Sequence, residues 1–128
     1  MNISLSTGAW SFFKGYGNAS HRSLKGNVED ASTEDALNML RQVSAKVYTR
    51  LDIPDEDGLR LGFIAQDVEA ACPPSWSNLV MKTNYKWAGA PEGAEIKILD
   101  YARLTGVLWQ SCKSMLTRIE ALEARLPQ

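Results

Sequence analysis

Apolar and polar positions are arranged differently in three stretches of the chain. From Met1 to about Ala19, short alternations such as Ile3-Ser4-Leu5-Ser6 predict strands. Gly8, Gly15 and Gly17 punctuate the aromatics Trp10, Phe12, Phe13 and Tyr16 there and predict turns. This stretch has no apolar face of its own to bury, so it reads as the last rungs of a larger β-structure, with Met1 as an added start.

From Leu24 to about Leu99 the pattern is mixed. Ser32 offers an N-cap hydroxyl, Glu34 and Asp35 are first-turn acids, and Ala36, Leu37 and Leu40 form a helical face. Val43, Ala45, Val47, Thr49 and Leu51 alternate with polar residues and predict a strand with Tyr48 on its opposite face. Pro54 to Gly58 is a turn by composition. Leu59 to Phe63 predicts a second strand, followed by a helix from near Ala65 that stops before Pro73-Pro74. Leu79 to Lys82 and Ile96 to Leu99 predict two further short strands around a loop at Ala88 to Gly93.

From Asp100 to Leu126 a single glycine and no proline interrupt a helical pattern, with Asp100 as its cap and Pro127 as its stop. Tyr101, Thr105, Leu108, Cys112, Met115, Ile119, Leu122 and Leu126 alternate steps of four and three. That is a heptad seam, with Arg118, Glu120, Glu123 and Arg125 around it. A helix of this extent runs roughly 40 Å at 1.5 Å per residue. An apolar stripe of that length has to be covered, either by the helix's own domain or, as fits the length better, by a coiled coil between identical chains whose number the mixed seam residues do not fix. The fold class is therefore α+β: a short β-stub, a small mixed α/β part and a long terminal helix.

Composition narrows the function. Fourteen basic and fifteen acidic side chains leave a net charge of −1, which speaks against general nucleic-acid binding. No apolar run is long enough to cross a bilayer and no signal pattern opens the chain, so no membrane partner is expected. His21 is the one histidine, and Cys72 and Cys112 lack metal-ligand spacing, so neither a metal nor a cofactor is expected. No disulfide is expected either, and Cys112 is explained as a small residue on the helical seam.

Four blocks of residues are more specific than pattern or composition. They are Ser20-His21-Arg22-Ser23-Leu24-Lys25-Gly26-Asn27-Val28, Leu61-Gly62-Phe63-Ile64-Ala65-Gln66-Asp67-Val68-Glu69, Asn78-Leu79-Val80 and Leu99-Asp100-Tyr101-Ala102-Arg103-Leu104. In this order they resemble the endosialidase-type intramolecular chaperone domain, the S74 peptidase family of bacteriophage tail fibres and tailspikes.

The resemblance implies residues 1–19 as the end of a fibre shaft and residues 20–128 as the chaperone. The chaperone divides into an α/β part over 20–99 and a coiled-coil helix over 100–126. The partners implied are two identical chains, making a homotrimer, and the upstream shaft of the same chain. The implied location is the host cytoplasm during virion assembly, with the fibre portion ending on the virion tail.

The resemblance also implies a self-cleaving serine peptidase whose catalytic serine and lysine correspond to Ser20 and Lys25. The cut then falls between Ser20 and His21. A lysine acts as a base when burial or nearby positive charge favours its neutral form. Arg22 supplies part of that charge and trimer assembly the burial. Attack by Ser20 on its own carbonyl would need a four-membered ring, so a serine from another chain or a lysine-activated water remains as the nucleophile.

His21 and Ser23 stand where the family pattern has Asp and Arg. His21 is read first as an exposed loop histidine and second as a supporting base. Gln66 and Asp67 are read as helix-start chemistry and subunit packing. Two other functions remain open. One is a permanent structural or receptor-binding fibre tip with Trp76, Tyr85 and Trp87 as binding aromatics. The other is the related self-cleaving domain of a membrane-bound transcription-factor precursor.

Overall fold

The computed structural model describes residues 19–53 and 58–127, so the shaft expectation for residues 1–18 and the turn at Pro54 to Asp57 lie outside the described residues. The chain divides into two units, Met1–Asp30 and Ala31–Gln128. Within the described part of the first, the one regular element is a 3₁₀ turn at Arg22–Leu24.

The second unit is mixed α/β, with three helices and two small antiparallel sheets among the described residues. Helix α1 spans Thr33–Gln42, and its first turn is capped by the Ser32 hydroxyl, which accepts from Asp35 N–H at 3.1 Å. Its buried face is Ala36, Leu37 and Met39. Leu40, expected on that face, is 40% exposed at its edge. Ala36 and Met39 stand one helical turn apart and both join the core, which rotates Leu40 toward the rim.

Strand β1 is Lys46–Tyr48, much shorter than the run from Val43 to Leu51 suggested. It pairs with β2, Arg60–Gly62, in the register Lys46 to Gly62 and Tyr48 to Arg60. The expected face is reversed, because Val47 is 61% exposed and Leu51 85% exposed, whereas Tyr48 is half-buried. Gly62 explains the reversal. A methyl group there would lie 2.8 Å from the hydroxyls of both Tyr48 and Tyr101. Without a side chain at Gly62, the two phenols meet over β2, and Tyr101 Oη also accepts from Phe63 N–H at 3.3 Å. A contact to a residue far along the chain thus overrides the local alternation.

Helix α2, Ala65–Ala71, buries Val68 and ends ahead of Pro73-Pro74. Gln66 and Asp67 lie exposed in its first turn. A 3₁₀ segment at Pro74–Leu79 leads into β3, Val80–Thr83, which pairs with β4, Ile96–Leu99. Helix α3, Tyr101–Glu123, starts at an Asp100 cap that accepts from Arg103 N–H at 3.0 Å.

The core is small: Ala36 and Met39 from α1, Val68 from α2, Leu79, and Val107 from α3, with Phe63, Trp76, Leu99 and Leu104 packed against it. Helix α3 is tied to α1 by Arg118 with Glu34 at 2.9 Å and by Gln110 donating to the Ala31 carbonyl at 2.6 Å.

The faces of α3 decide how it is used. Val107, Ser111 and Ser114 are buried within its own unit, with Leu104 half-buried beside them. The seam lies roughly 100° around the axis from that face, given 3.6 residues per turn. Leu108, Cys112, Met115, Ile119 and Leu122 are all exposed, Leu108 at 52% and Ile119 at 53%. The helix ends at Glu123, short of the expected stop at Pro127, so Leu126, also exposed, lies beyond it. In one chain, these positions from Leu108 onward are left exposed among the described residues.

Candidate functional site

Ser20 and Lys25 stand at the two ends of the 3₁₀ turn in the first unit. The turn closes with Leu24 N–H donating to the His21 carbonyl and Lys25 N–H to the Arg22 carbonyl, each at 3.0 Å. A 3₁₀ helix rises about 2 Å per residue, so the lysine side chain easily spans one turn. It does so here, with Nζ donating to Ser20 Oγ at 2.5 Å. The five-residue spacing therefore brings an amine onto a hydroxyl.

His21 occupies the N-cap position of the turn. Its Nδ1 accepts from Ser23 N–H at 3.1 Å and lies 2.8 Å from Ser23 Oγ. The ring thus pairs with Ser23 and not with Ser20. Arg22 sits inside the turn, and residues 19–30 are all exposed. Beyond the turn, Asn27 adopts φ 51°, the left-handed conformation that asparagine tolerates better than most residues. The His21–Ser23 pair was absent from the sequence reading. Its signal was an acceptor side chain two residues before an N–H at a turn start, a pattern easily overlooked when the cap is histidine and not Asp or Ser.

The aromatics read as alternative binding residues fall in two separate cavities of the second unit. Trp76 lines one of about 410 Å³ with Leu79, Val107 and Trp109. Tyr85 and Trp87, whose rings lie 5.8 Å apart, line another of about 350 Å³ with Arg50 and Asp52. The Asp52 carboxyl is held well below the usual carboxylate range, chiefly by its hydrogen bonds from Arg50 and secondly by that from Tyr85 at 2.9 Å. The Tyr85 hydroxyl is correspondingly pushed up, first by its bond to Asp52. These charges satisfy one another. Neither cavity contains Ser20 or Lys25. Among the described residues, no group of His, Cys, Asp or Glu is placed to hold a metal ion, and no helix is long and apolar enough to cross a membrane.

Residues 20–77 match the family model Peptidase_S74, chaperone of endosialidase. That segment is similar to the Peptidase_S74 family. The match opens on Ser20, takes in the turn with Lys25, and continues through α1, the β1–β2 pair and α2. It covers somewhat less than half of the chain, and α3 lies beyond it. No protein of curated function matches the chain. The family's description, chaperone of endosialidase under a peptidase's name, is what this segment is similar to. The Ser20–Lys25 contact lies at the first residues matched.

Proposed function

We propose that the chain is a homotrimeric intramolecular chaperone that nucleates the shaft of a bacteriophage tail fibre or tailspike and then releases itself by cutting the Ser20–His21 bond. The observation that carries this reading is the Lys25 amine on the Ser20 hydroxyl. As found, the amine donates. Catalysis runs the proton the other way: the neutral Lys25 amine takes a proton from the attacking hydroxyl, either a water or a serine of a neighbouring chain. The oxygen adds to the Ser20 carbonyl carbon, and the carbon–nitrogen bond to His21 breaks as the lysine returns the proton to the leaving nitrogen. With water, the products are a Ser20 carboxyl group and a His21 amino group. With a serine, the intermediate is an ester, which water then hydrolyses to the same products.

Base catalysis by lysine needs burial or nearby positive charge, and both partners are exposed in the single chain. Assembly supplies the burial, which makes cutting conditional on the trimer having formed. The uncovered seam of α3 supports that order of events. Interchain β-structure nucleates slowly because its contacts are far apart in sequence, and tethering three chains raises their effective concentration in register. Assembly takes place in the host cytoplasm, and the fibre portion goes to the virion tail.

Intact-mass spectrometry of the chain with native residues upstream of Ser20 tests the proposal. Two fragments meeting at Ser20–His21 are expected, and Lys25→Ala should leave one intact species; Ser20→Ala should do the same where a serine attacks and should still be cut where water does. A folded wild-type trimer that stays whole for days, or a cut that persists in Lys25→Ala, overturns it.

A further inference from the structure

We infer that His21 is a positioning residue whose neutral imidazole caps the turn that holds Lys25 on Ser20. The inference rests on the proposed cleavage and extends it to a residue outside the Ser20–Lys25 pair. The turn spans only Arg22–Leu24 and is closed by two backbone hydrogen bonds. A segment that short has little stability of its own, because each bond fixes several dihedrals. The His21 ring adds two contacts at one atom, with Nδ1 accepting from Ser23 N–H at 3.1 Å and lying 2.8 Å from Ser23 Oγ. His21 sits at the N-cap with extended backbone angles, φ −67° and ψ 140°, where Asp, Asn or Ser usually serves. A ring nitrogen that accepts from a backbone N–H carries no proton, so the tautomer is Nε2–H.

The cap matters because Ser20 precedes it by one residue and Lys25 follows the turn by one. Their separation is set by whether the turn is closed. When the turn opens, Lys25 Nζ loses its fixed place at Ser20 Oγ, and the proton transfer loses its geometry. Only the neutral ring can hold this cap, because a protonated Nδ1 is a donor. The charged groups in the same stretch are Arg22, Lys25, Glu29 and Asp30. Among the described residues, the ring's hydrogen-bond partner is Ser23 alone.

The test compares cap-competent with cap-incompetent replacements in the full chain with its upstream residues. At pH 7.5, His21→Asn and His21→Asp should cut within about two-fold of wild type. His21→Ala and His21→Phe should be roughly five-fold slower, the rate equivalent of one N-cap. Equal rates for His21→Ala and wild type overturn the inference, as does a His21→Asn variant as slow as His21→Ala.

Nitrogen-15 NMR gives a readout that does not depend on cleavage. Nδ1 should be unprotonated at neutral pH, and Ser23 amide exchange should speed up in His21→Ala. A proton on Nδ1, or unchanged exchange, overturns the cap even if no chain is cut. A wild-type trimer that stays whole while both NMR results hold overturns the cleavage reading, and with it the positioning role in catalysis.

Discussion

The Lys25–Ser20 contact and the Gly62 approach each depend on a single atom or its absence. Replacing Lys25 with arginine keeps the charge and a donor near Ser20 Oγ. A guanidinium does not lose its proton in proteins, so Lys25→Arg should stop cleavage with no change in the folded trimer. A Lys25→Arg chain that cuts at the wild-type rate in a gel time course would show that lysine is not the base. At Gly62, a methyl group would press on both tyrosine hydroxyls at 2.8 Å. Gly62→Ala should destabilise the fold by about 1–2 kcal/mol, the scale of a small overpacking, read as a lowered midpoint in urea. Tyr48→Phe in the same chain should recover part of the loss by removing one of the two colliding oxygens. The Tyr48 phenol is already pushed up, first by burial and then by Tyr101 beside it.

The helices were largely legible in the sequence because caps are local. Ser32 and Asp100 each bond an N–H three residues on, and both helix starts follow from that. The strand faces were not legible, since the covered side of β1 is decided by Tyr101, which meets Tyr48 only in the folded chain. Met39, which the sequence did not single out, joins the core and Leu40 stands at its edge for a similar reason: steps of three and four from Ala36 reach either residue, and packing chose Met39. The Ser20–Lys25 pair was legible only through the resemblance, because its spacing alone carries almost no information. The cap of α3 gives a pH prediction. The Asp100 carboxyl is held below its ordinary value, first by the Arg103 N–H and, after the opposing effect of burial, by the Arg103 side chain. Its stabilisation is present above the unfolded value of roughly 3.9 and is lost as pH falls through the lower folded value. Asp100→Asn keeps the cap and should flatten that part of the acid-unfolding curve. Asp100→Ala should cost about 1 kcal/mol at neutral pH in denaturant titration.

The mixed α/β unit with its long helix leaves Leu108, Met115, Ile119 and Leu122 exposed in one chain. Cys112 lies on the same seam and is exposed, whereas burial pushes the Cys72 thiol up. A thiol reagent should therefore modify Cys112 readily in dilute chain and slowly in assembled trimer, with Cys72 slow in both. Leu108→Asp with Ile119→Asp should give monomers or aggregates in light scattering and leave Cys112 fast at all concentrations. A wild-type chain that runs as a monomer at high micromolar concentration would remove the basis of the trimer.

The α3 seam also bears on timing. In the proposed trimer other copies cover this stripe, so the first productive step is an encounter between molecules, and its rate rises with the square of their number. Doubling the supply of chains should quadruple early assembly, whereas closure of the small core within each chain proceeds at a rate that dilution cannot change. Synthesis of several chains close together, as from neighbouring ribosomes on one message, would then set how fast fibres appear. The same arithmetic makes the melting temperature climb with protein concentration, unlike that of a domain that completes its own surface.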